Sequence, residues 1–302
     1  MPYFNNRDGQ RLHYHEMGRG PVCILIHGFG MHGALWKTLA WPLSRRYRFV
    51  MPDLRGFNGS KRAGFDSERS IFEHFADDLA DLINHIGEER VHIMGYSMGG
   101  ATAMCYQMHY GTERVQAYAQ IDQIDRVTNH SDWQWGLYGE RQTEKLGEFQ
   151  ALFDELDSLP HPEQWDRLPP SFQNKLLTGF TDFVASTAAR KSWKWGIEKM
   201  GQSGLIKQAM PSEEWPAFSR CMRDYTCTHI DLSPAFDGYD RPFWVLTGSN
   251  SELYDARGQT LMAEKVTTSQ QVLFHGAGHL LPFEKPLQFV RTLNAFMQSG
   301  SS

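Results

Sequence analysis

The pattern of apolar and polar residues at the two ends of the chain differs from that in its middle. Through about residue 125, short apolar runs are separated by longer amphipathic segments, and the same pattern returns near residue 242. Short apolar runs bounded by turn residues are typical of buried strands, and the longer segments are typical of helices. The runs predicted as strands are 22–28, 47–53, 91–96, 115–122, 242–248 and 270–275. This order predicts an α/β fold with a mostly parallel sheet flanked by helices.

Three of the intervening segments carry clear helix signals. Between Ser70 and Gly87 the apolar residues recur at helical spacing, and Ser70 and Glu73 have the spacing of a capping box. Gly87 suits the position that follows a helix. Residues 101–110 and 286–297 predict two further helices.

Residues 125–235 show no alternating strand pattern and are rich in tryptophan and proline. We predict that this cap segment is a helical insertion over the sheet edge where open α/β folds bind ligands. The predicted division is therefore a core of residues 1–124 and 236–302 and a helical cap of residues 125–235. The tryptophans of the cap segment are either a binding surface that favours apolar or aromatic ligands or the cap's own core. They are Trp133, Trp135, Trp165, Trp193, Trp195 and Trp215.

Composition narrows the class of protein. The 302 residues are 41% hydrophobic, enough for a substantial core, and the net charge is only −5. Lysine and arginine are scattered, which argues against a nucleic-acid partner. No apolar run approaches the roughly 20 residues of a membrane span, and the polar start MPYFNNRDGQRLHY lacks the apolar stretch of a signal peptide. We expect a cytoplasmic protein without membrane insertion.

The four cysteines are widely spaced. We expect reduced, buried thiols, not disulfides or a metal site. They are Cys23, Cys105, Cys221 and Cys227.

The stretch GYSMGG, residues 95–100, lies between the predicted strand 91–96 and the predicted helix 101–110. Three glycines around one serine indicate a sharp turn without room for β-carbons. A G-x-S-x-G pattern between a strand and a helix is the signature of a nucleophile elbow, and it predicts Ser97 as a nucleophile.

A serine nucleophile needs a base to accept its proton. In elbow enzymes this base is a histidine on a loop after the last strand, and His279 in HGAGHLLPFEKP has that position. His275 lies within the predicted strand, and His27 belongs to another loop. We therefore predict His279 as the base.

The reaction also needs donors for the oxyanion that forms on the substrate. One is the backbone N–H of the residue after the nucleophile, Met98. The second is expected from the loop HGFG after the strand 22–28, where Phe29 is the candidate donor. The helix that begins at the elbow adds the positive end of its dipole. Alternatively, the side chains of Phe29 and Met98 only form part of the wall of a pocket.

Four motifs together resemble the α/β-hydrolase fold superfamily: HGFG at 27–30, DLRGFNGS at 53–60, GYSMGG at 95–100 and GAGH at 276–279. The first half of the chain is similar to cofactor-free esterases and to the non-haem haloperoxidase or perhydrolase group. One departure is Asn58, which stands where the family commonly has glycine.

The acid that should orient His279 is the second departure. In most of the superfamily an aspartate follows the strand equivalent to 242–248, but here Ser251 stands at that place. Haloalkane dehalogenases and some lactone hydrolases of this superfamily carry the carboxylate after the preceding strand, where this chain has Asp122. We predict Asp122 as the acid, with Glu252, Asp125 and Asp255 as alternatives.

These residues and the resemblance imply a cofactor-independent serine hydrolase that cleaves a small carboxylic ester or lactone through an acyl-enzyme. No metal, nucleotide or haem signature is present in the sequence, so no cofactor is expected. Two alternatives stay open: cleavage of a carbon–carbon or amide bond by the same residues, and a receptor that binds a small ligand with little turnover.

Overall fold

The structure, a computed structural model, describes residues 2–202 and 212–300. It contains one eight-stranded sheet. In chain order the strands are β1 Tyr3–Asn5, β2 Arg11–Gly18, β3 Val22–Ile26, β4 Arg48–Pro52, β5 Val91–Tyr96, β6 Val115–Ile121, β7 Phe243–Gly248 and β8 Ser269–Phe274. The spatial order is β1-β2-β4-β3-β5-β6-β7-β8. β2 pairs antiparallel with β1 and β4, and the other neighbours are parallel. The predicted mostly parallel sheet is confirmed.

The six strands predicted from apolar runs are all present, but the hairpin of β1 and β2 was not predicted. β2 reads RLHYHEMG, so polar residues interrupt its apolar pattern. Its histidines His13 and His15 are nevertheless buried. A strand whose buried positions hold imidazoles lacks the run of apolar residues that predicts a strand.

Helices cover both faces of the sheet. They are α1 Lys37–Ala40, α2 Ile71–Ile86, α3 Met98–Tyr110, α4 Gln142–Asp157, α5 Pro170–Thr187, α6 Lys191–Gln202, α7 Trp215–Cys227, α8 Ala256–Ala263, α9 Leu281–Glu284 and α10 Pro286–Phe296. The capping box of Ser70 and Glu73 is present at the start of α2. α3 begins three residues earlier than predicted because the glycines of GYSMGG form its first turn. The short helices α1, α8 and α9 were not predicted.

β3 shows how the sheet separates two hydrophobic clusters. Ile24 and Ile26 belong to the cluster that contains residues of α2 and α3. Cys23 and Leu25 point the other way, into the cluster that contains residues of α1 and α10. Because successive side chains on a strand alternate between faces, both faces of this central strand are buried.

The helices α4 to α7 lie in the chain between β6 and β7. Three tryptophans of the cap segment are buried, namely Trp133, Trp165 and Trp215, while Trp195 is 62% exposed. All four cysteines are free thiols, as expected; Cys227 is only partly buried, in contrast to the other three. Within residues 2–202 and 212–300, no helix has the length and apolar character to cross a bilayer.

Candidate functional site

Ser97 lies at the turn between β5 and α3. Its backbone has φ 52° and ψ −121°, a region that residues with a side chain rarely adopt. The glycines around it are required by space: a β-carbon on Gly95 would lie 2.4 Å from the carbonyl oxygen of Gly99. A β-carbon on Gly99 would lie 2.6 Å from the carbonyl oxygen of Ile26. The close packing of β5, α3 and β3 thus explains why this turn needs glycine.

His279 and Asp122 are in direct contact. Asp122 follows β6 and is fully buried, and its Oδ2 lies 2.7 Å from Nδ1 of His279. His279 follows β8 and is 3% exposed. Asp122 also has a positive φ of 46°, so its backbone, like that of Ser97, is held in a conformation unusual for a residue with a side chain. The structure therefore brings together the predicted base and the predicted acid.

Three further donors surround the Asp122 carboxylate. Ser251 Oγ donates to Oδ2 at 2.6 Å, and Gln259 Nε2 donates to Oδ1 at 2.9 Å. The backbone N–H of Gly248 donates to Oδ1 at 3.2 Å. A buried carboxylate is costly unless it accepts hydrogen bonds, and both oxygens of Asp122 do so. Neither Ser251 nor Gln259 was predicted from the sequence as a partner of Asp122.

Each alternative acid has a different basic partner. The pairs are Glu252 with Lys194, Asp255 with Arg257, and Asp125 with Lys265. Asp255 also caps α8 by accepting from the Arg257 amide at 2.8 Å. These contacts give all three carboxylates a structural role away from His279.

The two histidines that competed with His279 are placed differently. His275 is exposed. His27 is fully buried; its Nδ1 donates to the carbonyl oxygen of Gly28 at 2.8 Å, and the Leu54 amide donates to its Nε2 at 3.0 Å. Burial lowers the pKa of His27 to about 4. His27 is therefore a neutral imidazole that connects two loops.

The loop HGFG runs against the turn at Ser97. A β-carbon on Gly28 would lie 3.3 Å from Cβ of Ser97 and 3.0 Å from the ring of Tyr96. The next residue, Phe29, lines two cavities together with Ser97. Met98 is the first residue of α3, so its N–H has no acceptor within the helix. Both predicted oxyanion donors thus belong to residues that flank Ser97 in space.

Asn58, the departure from glycine in the resemblance, has an explanation. Its φ of 44° is in the left-handed region, which asparagine tolerates better than most residues. Its Nδ2 donates to Oδ2 of Asp53 at 2.8 Å, and the Gly33 amide donates to Oδ1 at 2.7 Å. Burial opposes ionisation of Asp53, but the hydrogen bonds outweigh it and the pKa of Asp53 is lowered. Asp53 therefore ties the loop after β4 to the loop after β3.

His13, His15 and Asp53 form a buried group of potential metal ligands. Oδ2 of Asp53 already accepts from His13 Nδ1 at 2.7 Å, from Asn58, and from the Gly59 amide at 3.1 Å. His15 Nε2 is 3.8 Å from Oδ1. Because the carboxylate already has these donors, the group serves as a hydrogen-bonded link, and we assign no metal to it.

Two cavities meet at Ser97. The wider one measures about 480 Å³ and is lined by Ser97, His279 and the loop from Gly28 to His32. The narrower one measures about 50 Å³ and is almost entirely apolar. Its walls include Met98 and the cap-segment residues Leu137 and Phe149.

The aromatic side chains that the described part of the cap segment contributes to these cavities are phenylalanines and tyrosines. Phe180, Phe183 and Phe218 line the wider cavity, and no tryptophan of the described residues lines either one. Of the two interpretations of the tryptophans, the cap's own core is therefore the better one for the three buried side chains, Trp133, Trp165 and Trp215.

Comparison with known proteins agrees with this architecture. The family described as "alpha/beta hydrolase fold" matches residues 21–286. A pimeloyl-[acyl-carrier protein] methyl ester esterase from Aeromonas salmonicida is 37% identical over 291 residues, which are 93% of this chain and 97% of the relative.

Two solved structures superimpose over nearly the full length. An esterase from Exiguobacterium antarcticum covers 98% of this chain and 99% of its own, with a TM-score of 0.74 and 17% identity. A bromoperoxidase from Bacillus anthracis covers 96% of both chains, with a TM-score of 0.73 and 19% identity. The chain thus belongs to the α/β-hydrolase fold family and resembles its esterases and haloperoxidases.

Proposed function

We propose that the protein is a cofactor-independent serine hydrolase that cleaves a carboxylic ester or lactone through an acyl-enzyme. The observation that carries this proposal is the hydrogen bond of 2.7 Å between His279 Nδ1 and Asp122 Oδ2, beside a cavity that His279 shares with Ser97. A carboxylate on Nδ1 fixes the tautomer in which Nε2 is free to accept a proton. The relative named as a methyl ester esterase supports an ester as substrate.

The first half of the reaction forms the acyl-enzyme. Ser97 Oγ attacks the ester carbonyl carbon while its proton moves to His279 Nε2. The N–H groups of Phe29 and Met98 donate to the oxyanion, and Asp122 stabilises the imidazolium. The carbon–oxygen bond to the leaving group then breaks, and His279 Nε2 gives its proton to that oxygen.

The second half releases the acid. Water attacks the acyl carbon as His279 Nε2 takes one of its protons, and the bond to Ser97 Oγ breaks with return of the proton to the serine. No cofactor enters either half, since every proton moves between Ser97, His279, the water and the leaving group.

The two cavities give the ester an orientation. His279 must protonate the leaving group, and it lines the wider cavity, so the alcohol portion belongs there. The acyl portion then occupies the narrower cavity, which is lined by Ser97 and Met98 but not by His279. The apolar walls favour an apolar or aromatic substrate, and described residues of the cap segment, such as Phe183, line both cavities.

The test is Ser97→Ala, measured with a panel of aryl esters, alkyl esters, lactones and an amide. Loss of the nucleophile is expected to lower kcat by about 10³-fold or more, with an unchanged circular dichroism spectrum. The matched control is Ser158→Ala, at an exposed serine, which should retain wild-type rates. A fluorophosphonate probe should label Ser97 in the wild type, as located by peptide mass spectrometry. Wild-type ester turnover in Ser97→Ala would refute the proposal.

A further inference from the structure

Two tyrosine hydroxyls meet in the wall of the narrow cavity, which is otherwise almost entirely apolar. The hydroxyl oxygens of Tyr225, on α7, and Tyr254, in the loop after β7, are 2.7 Å apart. Tyr254 is 1% exposed, whereas Tyr225 is partly exposed. Both line the cavity together with Ser97. A hydroxyl in an apolar cavity wall costs free energy unless it forms hydrogen bonds, so each of these two groups should have a donor or acceptor as a partner.

The side-chain amide of Gln123 contacts both the backbone of the turn at Ser97 and the hydroxyl of Tyr225. Its Oε1 accepts from the Ile124 amide at 2.8 Å, and its Nε2 donates to the Ser97 carbonyl oxygen at 3.1 Å. These two contacts determine which end of the side chain is nitrogen. Nε2 also donates to the hydroxyl of Tyr225. Both N–H groups of this amide are thus used, and neither tyrosine can donate to it at Nε2.

The tyrosine pair is left with one unused proton. Tyr225 and Tyr254 carry two hydroxyl protons, and only one of them lies between the two oxygens. Among the hydrogen bonds of the described residues, the second proton has no acceptor. Burial raises the pKa of Tyr225 to about 12 and that of Tyr254 well above its usual value, so both are hydroxyls at neutral pH. The cavity wall therefore contains one O–H donor that has no acceptor among the described residues.

We propose that Tyr225 and Tyr254 form a subsite that donates a hydrogen bond to an oxygen in the acyl chain of the substrate. This inference rests on the proposed function, which places the acyl portion in the narrow cavity. Substrates of this class are short-chain esters with an ether, keto or hydroxyl oxygen close to the ester carbonyl.

The position of the oxygen follows from Gln123. One nitrogen donates both to the Ser97 carbonyl oxygen and to the Tyr225 hydroxyl, so these two atoms are separated by at most about 6 Å, two hydrogen-bond lengths. The donor thus lies close to the turn at Ser97, within reach of the second or third atom beyond the ester carbonyl carbon. The cavity volume of about 50 Å³ has room for roughly four heavy atoms of the acyl chain.

The experiment compares two esters that differ in one atom: p-nitrophenyl methoxyacetate, with an ether oxygen, and p-nitrophenyl butanoate, with a methylene in its place. The ratio of their kcat/KM values is divided by the ratio of their hydroxide-catalysed rates, which removes intrinsic reactivity. In the wild type this corrected ratio should favour methoxyacetate about three- to tenfold, the worth of one hydrogen bond. A corrected ratio of one overturns the inference.

The double variant Tyr225→Phe/Tyr254→Phe removes both hydroxyl protons and should bring the corrected ratio close to one, even if it also lowers both rates. Each single variant still leaves one hydroxyl donor in the cavity wall and should keep part of the preference. The matched control is Tyr239→Phe, which removes a buried hydroxyl that lines neither cavity and should keep the wild-type ratio. A wild-type preference that survives in the double variant overturns the inference and leaves the proposed function intact. Absence of Ser97-dependent hydrolysis of both esters would overturn the proposed function, and this inference with it.

Discussion

Ser251 donates its hydroxyl proton to Oδ2 of Asp122 at 2.6 Å, the same oxygen that lies 2.7 Å from Nδ1 of His279. The resemblance to the superfamily places the usual acid at the position of Ser251. In this chain that position contributes a donor to a carboxylate on the neighbouring strand end. The two strand ends, after β6 and β7, are adjacent in the sheet, so either one is able to present a group to His279.

We predict that Asp122→Asn lowers kcat by about 10²–10⁴-fold on any ester that the wild type cleaves. An amide at this position is able to donate to Nδ1, which favours the tautomer with the proton on Nε2 and removes the base. The measurement is steady-state kinetics at neutral pH. Glu252→Gln is the matched control, because Glu252 pairs with Lys194, and it should stay within a few-fold of the wild type.

A second variant distinguishes orientation of His279 from general damage. Ser251→Asp combined with Asp122→Asn moves the carboxylate back to the position that is usual in the superfamily, and it should recover part of the lost kcat. Ser251→Asp alone places two carboxylates side by side in a buried site and should be less active than the wild type. Equal activity of Asp122→Asn and the wild type would show that His279 is oriented by another group.

A glycine of the turn at Ser97 and a glycine of α4 differ in the space available for a β-carbon. We predict that Gly99→Ala destabilises the protein by about 1–3 kcal/mol or more, because its β-carbon would lie 2.6 Å from the Ile26 carbonyl oxygen. Gly147 is exposed within α4 and has open space around its α-carbon, so Gly147→Ala should stabilise by about 0.5–1 kcal/mol. Urea unfolding of both variants measures the difference. Equal effects of the two substitutions would refute the steric explanation.

The features that could be predicted are those whose signals lie close together in the sequence. Three kinds of feature could be predicted because their residues lie within a few positions of one another. They are the turn at Ser97, the capping box of α2 and six strands. The partners of Asp122 could not be predicted, because Ser251 and Gln259 lie 129 and 137 positions away in the sequence. Only the pairing of β6 with β7 brings them to the carboxylate, and a single sequence carries no record of that pairing.

The N-terminal hairpin was missed for a different reason. Its burial is achieved with polar side chains, since His13 on β2 donates to Asp53 in the loop after β4. Hydrophobic periodicity cannot detect a buried position whose stability comes from a hydrogen bond. Glu284 is a similar case near the site: it is 3% exposed and accepts from the Gly278 amide at 2.6 Å, next to His279. Its place at the end of the short helix α9 gave no sign of burial.

The last prediction concerns pH and the buried His27. Its pKa is about 4 in the folded protein because of burial, against about 6.5 for an exposed histidine. Between these values the unfolded chain binds the proton and the folded chain does not, so the free energy of unfolding rises with pH. The contribution of His27 should therefore decrease by about 2 kcal/mol as the pH falls from 7 to 5.

The variant His27→Gln isolates this contribution from that of the other buried histidines with a lowered pKa, such as His15 and His92. It should be less stable than the wild type at pH 7, because the hydrogen bonds to Gly28 and Leu54 are altered. Its free energy of unfolding in urea should then decrease less on acidification, so that the two proteins approach each other at pH 5. His275→Gln, at an exposed position, is the matched control and should follow the wild-type curve. Parallel curves for the wild type and His27→Gln would mean that His27 binds a proton equally well in the folded and unfolded chain, contrary to its burial.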